Sequence, residues 1–334
     1  MGLSCVRVWG VSQVNGTMMN VNFVDLEPRG SLLCVHAHPD DETLTTGGLM
    51  TRWRGAGLPV TLVTCTRGEQ GEVIGPDPLG LEGNAVALGA YREIELDRAM
   101  SELGVTDFFF LDETASGVRY VDSGMAWVEP SQGGGQVSVA TAAKNVPEGA
   151  FSFAELDEAA HLLARVILEK QPEFVATYEA GGGYGHPDHV RTHDVVVRAL
   201  EIVKATTDSR APALLTAVVP EPIVRRARTA ISSVLTPEEF EFAVVLPNDG
   251  ELPLMARSIE QDFVRVDVSG SMARVRKALA AHATQIQWVT ERGPIDLDEF
   301  GTKLLGTYAL SNNVVAPILS HEFYELKEVG STST

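Results

Sequence analysis

Two short runs of histidine and acid carry most of the chain's chemical potential: His36-Ala37-His38-Pro39-Asp40-Asp41-Glu42 and His186-Pro187-Asp188-His189. Together they hold four of the eight histidines. His38 and Asp41 stand three apart with Pro39 setting the turn, so a nitrogen and an oxygen can face one ion. His189 can add a second nitrogen from the other run. Two imidazoles and a carboxylate suit Zn²⁺ with a fourth position open, the pattern of a catalytic rather than a structural site. Asp40 adjoins Asp41 without being needed for that triad. A carboxylate so placed can take a proton from a metal's water, or it can orient a ligating histidine.

Each run alone reads better as turn chemistry than as a metal site, since aspartate caps helix N-termini and proline pre-sets a turn. Two runs at equivalent positions favour a metal, because crowded, unpaired ionisable groups are costly to bury. His193 follows His189 by four and forms a rival His-x₃-His pair. His36 has no assigned role, and the isolated His161, His282 and His321 read as structural. His38 with Asp40 also makes a His-x-Asp pattern, which with His189 suits a non-haem Fe(II) oxygenase. A His₂Asp set accepts Fe²⁺ as well as Zn²⁺. Gly181–Gly185 lacks the G-x-G-x-x-G spacing of a phosphate-binding module.

The elements around the two runs explain how they could meet. The apolar run 31–37 reads as a buried strand, followed by a helix over 43–57 and a strand over 59–66. A glycine-rich loop, 68–83, leads to a helix over 84–103 and a strand over 107–111. Residues 112–149 form a long loop without periodicity, which its length alone marks as functional. A helix over 152–170, a strand over 173–177, a glycine loop, a helix over 188–204 and a strand over 214–219 follow. Strands alternating with helices predict an α/β, Rossmann-like, mostly parallel doubly wound sheet with helices on both faces. In such a sheet ligands bind beyond the carboxyl ends of the strands, where both runs fall.

Beyond Pro220 the pattern is less regular: a helix after Glu221, strands near 263–268 and 323–326, and a helix over 271–284. The expected organisation is a poorly ordered extension over 1–30, one domain over 31–326 and a short tail over 327–334. Within that domain, 31–219 forms the Rossmann-like core and 220–326 a C-terminal portion at the substrate pocket.

Composition excludes several classes. With 26 basic and 45 acidic residues the net charge is −19, which opposes polyanions such as nucleic acid and anionic membrane surfaces. No apolar stretch reaches the roughly 18–20 residues that span a bilayer, and Arg7, Ser12, Gln13 and Asn15 interrupt any signal-peptide core. The three cysteines, Cys5, Cys34 and Cys65, make no disulfide framework and no thiolate metal pair. A cytoplasmic protein is expected.

Ala37-His38-Pro39-Asp40-Asp41-Glu42, with Gly185-His186-Pro187-Asp188-His189 downstream, resembles the zinc-dependent deacetylase superfamily that includes N-acetylglucosaminyl-phosphatidylinositol de-N-acetylase. Thr64–Gly75 (TCTRGEQGEVIG), Ala90-Tyr91-Arg92, Asp122-Ser123-Gly124-Met125, Ala281-His282-Ala283-Thr284-Gln285 and Leu310-Ser311-Asn312-Asn313 support it. The resemblance spans about Ser31 to Leu326 and lapses in the N-terminal extension and around 210–253. Within the superfamily the wording is most similar to the branch acting in mycothiol biosynthesis. That implies hydrolysis of the N-acetyl group of N-acetylglucosaminyl-inositol, a small amino-sugar inositol, with mycothiol S-conjugate amidase as the sibling activity. It also implies His38, Asp41 and His189 as zinc ligands and Asp40 as general base. His186 would be general acid or electrostatic stabiliser, oriented by Asp188, and Tyr184 would polarise the oxyanion. Arg92 and Asp122 would hold sugar or inositol hydroxyls, with Glu72 and Met125 nearby. From residue type alone, Arg92 reads equally as a surface ion pair with Glu93 or Glu95.

Overall fold

The computed structural model describes residues 6–14, 17–127, 140–206, 211–258 and 262–327. The chain runs β1 (Val6–Val14), β2 (Thr17–Asp25), β3 (Leu32–His36), α1 (Asp41–Gly55), β4 (Val60–Thr64), α2 (Ala85–Leu103) and β5 (Asp107–Phe110). After the short strands β6 (Met125–Trp127) and β7 (Ala140–Ala142) come α3 (Leu156–Lys170), β8 (Phe174–Tyr178), the single turn α4 (Gly182–Gly185), α5 (Pro187–Thr206) and β9 (Ala213–Pro220). The C-terminal part holds α6 (Glu221–Val234), β10 (Ala256–Arg257), β11 (Phe263–Asp267), α7 (Met272–Ala281), β12 (Gln287–Asp296), β13 (Lys303–Ala309), β14 (Val315–Leu319) and β15 (His321–Lys327).

The central sheet has the order β1-β2-β11-β15-β9-β8-β3-β4-β5, with β10 beside β9. Its centre, β9-β8-β3-β4-β5, is wholly parallel. Every residue of β3 is buried, as expected for a strand covered on both faces. Leu32 and Cys34 pack with Trp53, Leu96 and Met100 of α1 and α2. Leu33 and Val35 point the other way, onto Leu163 and Ile167 of α3 and Val196 of α5.

Chain order runs from β3 outward to β4 and β5, then returns to β8 on the other side of β3. The connections after β3 and β8 therefore diverge, and a crevice opens between them at the switch point of the sheet. Both histidine runs lie on those two connections.

Within residues 1–30, β1 and β2 pair antiparallel, and β2 runs parallel to β11 from Phe23 to Asp25. Phe23 packs against Phe263, Phe300 and Phe323, partners supplied by the far end of the chain. β11 and β15 enter the central sheet, β15 antiparallel to β9, while β12-β13-β14 form a separate antiparallel sheet. Part of the long loop, 128–139, lies outside the described residues, as do residues 328–334 of the tail. Among the described residues no helix is long and apolar enough to cross a membrane.

Candidate active site

β3 ends at His36, and the chain turns through Pro39 into α1, which places His38 and Asp41 over the crevice. Asp41 Oδ2 accepts the His38 backbone N–H at 3.0 Å and lies 3.2 Å from His38 Nδ1. The same oxygen lies 3.2 Å from Nε2 of His189, on α5. His189 Nδ1 donates to the Gly182 carbonyl at 3.1 Å, which leaves Nε2 as the lone-pair nitrogen. That Nε2 is buried and, among the described residues, faces only the Asp41 oxygen. The ring is held between Tyr178, stacked at 4.2 Å, and His186, at 4.9 Å.

Donor atoms of His38, His186 and His189 lie within 4.8 Å of one another, as do those of His38, Asp122 and Asp188. One carboxylate oxygen shared between two buried imidazole nitrogens, with nothing else among the described residues facing the His189 nitrogen, fits a divalent cation. Burial acts to raise the Asp41 carboxyl, but the His189 and His38 rings hold it well below the carboxylate range. For His38 burial acts downward, yet Asp122, Asp188 and Asp41 carry its pKa well above the usual value. Three carboxylates around one imidazole make a site that attracts a positive charge.

Asp40 occupies the N-cap position of α1 with φ 106°, in the left-handed region. Burial pushes its carboxyl up to about 7, against the pull of Arg92. Burial and the neighbouring His38 and His189 rings push His186 well below its usual pKa, so its ring is neutral. His186 Nδ1 accepts the Asp188 backbone N–H at 3.1 Å, which leaves the proton on Nε2. The Tyr184 ring sits 5.1 Å from that of His189 and 6.3 Å from that of His186. Burial and the Asp41 and Asp40 carboxylates hold the Tyr184 hydroxyl protonated.

Other expected site residues sit differently. The Asp188 side chain reaches His38 Nε2, at 3.2 Å, and the Ser123 N–H, at 2.8 Å; only its backbone serves His186. Asp122, expected to hold sugar hydroxyls, is turned inward. It accepts N–H groups from Gln70 at 3.0 Å and Gly124 at 2.8 Å and faces His38 Nε2 at 3.4 Å. Arg92 is buried rather than paired on the surface: it donates to the carbonyls of Gly68 and Pro39 and lies 3.2 Å from Asp40 Oδ2. Glu72 is exposed at a polar cavity of about 440 Å³ shared with Asp77, Glu82, Gln287 and Asn313. Met125 is half-buried on β6, opposite Ala142.

His193 Nδ1 lies 2.8 Å from the Tyr178 carbonyl and, like Asp41, is in neither donor group, but unlike Asp41 it is turned away from His38 and His189 onto that carbonyl. His36 lies 2.9 Å from the Thr46 hydroxyl through Nε2, and burial lowers its pKa to about 4. Two residues escaped the sequence reading. Tyr178 stacks on His189 and its hydroxyl accepts the Ala37 N–H at 2.9 Å. Glu179 accepts N–H groups from Gly181 at 2.7 Å and Gly183 at 2.9 Å, securing the glycine turn. Their one local signal is position, at the carboxyl end of β8.

Residues 33–200 match the PIG-L family, described as GlcNAc-PI de-N-acetylase. A relative from Rhodococcus erythropolis is 40% identical over 304 residues, covering 88% of this chain and 90% of its own. One from Kineococcus radiotolerans is 38% identical over 314 residues, covering 90% and 78%. A third, from Streptomyces avermitilis, is 37% identical over 311 residues, covering 90% and 92%. All three are named 1D-myo-inositol 2-acetamido-2-deoxy-alpha-D-glucopyranoside deacetylase. The motif pair, the crevice that unites it and the similarity along nearly the whole chain agree: this protein belongs to the PIG-L, GlcNAc-PI de-N-acetylase family.

Proposed function

We propose that the protein hydrolyses the N-acetyl group of 1D-myo-inositol 2-acetamido-2-deoxy-alpha-D-glucopyranoside, a cytoplasmic step of mycothiol biosynthesis. The products are acetate and the glucosaminyl-inositol amine. The observation that carries the chemistry is the Asp41 oxygen set 3.2 Å from nitrogens of both His38 and His189, with the latter nitrogen buried and facing only that oxygen. His38, Asp41 and His189 would hold one Zn²⁺. When bound, that ion supplies Lewis acidity and lowers the pKa of its water to about 7.

The chain's own groups do the rest. Asp40, with its carboxyl near 7, is matched to proton transfer at neutral pH and takes a proton from the attacking water. Negative charge then builds on the acetyl oxygen, where the protonated Tyr184 hydroxyl donates. A well-placed donor of this kind contributes roughly 3–4 kcal/mol. The neutral His186, with its proton on Nε2, offers a second donor, which favours the electrostatic role over that of a strong acid. As the C–N bond breaks, the proton held by Asp40 passes to the amine nitrogen. The water's oxygen ends in acetate and its proton on the amine.

Metal analysis combined with an acetate-release assay tests this reading. His38→Ala, Asp41→Ala and His189→Ala should each lose metal, whereas His193→Ala should keep it; the reverse pattern would overturn the ligand set. Asp40→Ala should keep metal and lose about 10²–10⁴-fold in kcat. Zinc, rather than iron, should support the activity, without dioxygen or 2-oxoglutarate. Measuring kcat/KM for the acetyl substrate and for a mycothiol S-conjugate under one set of conditions decides the amide. A clear preference for the S-conjugate would replace the deacetylase assignment with the amidase.

A further inference from the structure

Asp40 is held in a backbone conformation that side-chain-bearing residues rarely adopt, φ 106° and ψ −38°. One peptide unit sets that angle, and both of its ends are gripped. Its oxygen, on Pro39, accepts from Arg92 Nη2; its N–H, on Asp40, donates to Glu42 Oε2 at 2.9 Å. Glu42 is fully buried, and its other oxygen lies 2.8 Å from Nε2 of His282, itself fully buried and 240 residues away in sequence. His282 Nδ1 is buried without a partner, so the proton of this imidazole points at Glu42.

The turn after α7 that carries His282 is itself anchored. The His282 carbonyl accepts N–H groups from Gln285 at 2.9 Å and Ile286 at 2.8 Å. Thr284 donates through its N–H and hydroxyl to Glu95, at 2.8 and 2.7 Å. Arg92 and Glu95 lie three apart on α2, so one helix holds both the Pro39 carbonyl and the turn behind Glu42.

We propose that Glu42 and His282 are positioning residues, which hold the Pro39–Asp40 peptide so that the Asp40 carboxylate is aimed into the metal centre. The proposal rests on the reading of Asp40 as general base. A buried carboxylate without a partner is disfavoured. His282, with the Thr43 hydroxyl on the same oxygen, supplies such partners and keeps Glu42 pointed at the Asp40 N–H. Glu42 therefore acts on the reaction through Asp40 and touches no substrate.

The test uses the full chain loaded with Zn²⁺ and the acetyl substrate. Glu42→Ala and His282→Ala should retain metal and KM while kcat falls about 10²-fold, the cost of a small misplacement of a catalytic group. Glu42→Gln, which keeps an acceptor for the Asp40 N–H, should recover most of that loss. An unchanged kcat, or a loss confined to KM or to metal content, would overturn the proposal. A second arm needs no activity: thermal unfolding of the metal-free chain in a double-mutant cycle with Asp40→Gly. Glycine adopts φ 106° freely, whereas a native chain freed from Glu42 recovers backbone strain that offsets part of the lost bond, so Glu42→Ala should lower Tm more in the Asp40→Gly background than in the native one. Equal losses in the two backgrounds would defeat the positioning role. Should Asp40→Ala keep native kcat, the base assignment would fail, and the cycle would still report whether Glu42 holds residue 40.

Discussion

Asp188 Oδ2 lies 3.2 Å from His38 Nε2, so the aspartate of the second histidine run serves the histidine of the first. With a proton on Nε2 facing that carboxylate, His38 would offer Nδ1, on the Asp41 side, to a bound metal. Asp188→Ala should therefore weaken zinc binding by about 10–100-fold, the usual effect of losing a carboxylate behind a ligating histidine. Competition against a chelator measures it. Native affinity in this variant would return Asp188 to His186 alone.

Gly182 is a second support of the ligand set. Its φ is +66°, its carbonyl accepts from His189 Nδ1, and an added Cβ would sit 2.8 Å from the Cβ of His189. Gly182→Ala should displace His189 and weaken metal binding. Gly183, at φ +77° with open space around it, supplies the control. Gly183→Ala should lower Tm through backbone strain alone and leave zinc affinity near native. Equal metal loss in both variants would contradict the steric argument.

Arg67 and Asp112 form a buried ion pair beneath the loop that follows β4. The guanidinium lies 3.9 Å from the centre of the Phe110 ring, and Asp112 also accepts the Tyr120 N–H at 3.2 Å. Removing the cation leaves the buried carboxylate with only the exposed Arg119 guanidinium, 4.0 Å away, as counter-charge. Arg67→Ala should thus cost about 3–5 kcal/mol in urea unfolding. A cost under about 1 kcal/mol, the range of surface pairs, would show that the pair contributes little.

Glu322 predicts a pH dependence of stability. It accepts N–H groups from Gly48 at 2.8 Å and Leu49 at 2.9 Å in α1, and the Tyr324 hydroxyl at 2.7 Å. Burial nonetheless pushes its carboxyl from the usual 4.5 up to about 7. Between those values the folded chain binds a proton that the unfolded chain has released. The contribution of Glu322 is therefore greatest below the lower value and falls as pH rises through the window. Relative to Glu322→Gln, the native protein should lose Tm as pH is raised from 5 to 8. A Tm difference that is flat across that range would contradict the raised pKa.

The alternation of buried apolar runs with helical stretches was legible in the sequence, because a strand covered on both faces must be apolar throughout. The pairing of His38 and Asp41 was equally legible, since three residues and a proline enforce it locally. That His189 belongs with them followed from fold class, which sends both runs to one edge of the sheet. The pairing of β2 with β11 had no local signal: its register is set by partners near the other end of the chain.

Tertiary structure alone decided which partner each charged group took. Asp188 turns to His38, Asp122 turns inward, Arg92 leaves the surface for the Pro39 carbonyl, and His282 crosses to Glu42. Residue type announces that a carboxylate or guanidinium will seek a partner once buried. Which one it finds depends on the angle at which distant helices and strands pack, and packing exists only after the whole chain has folded.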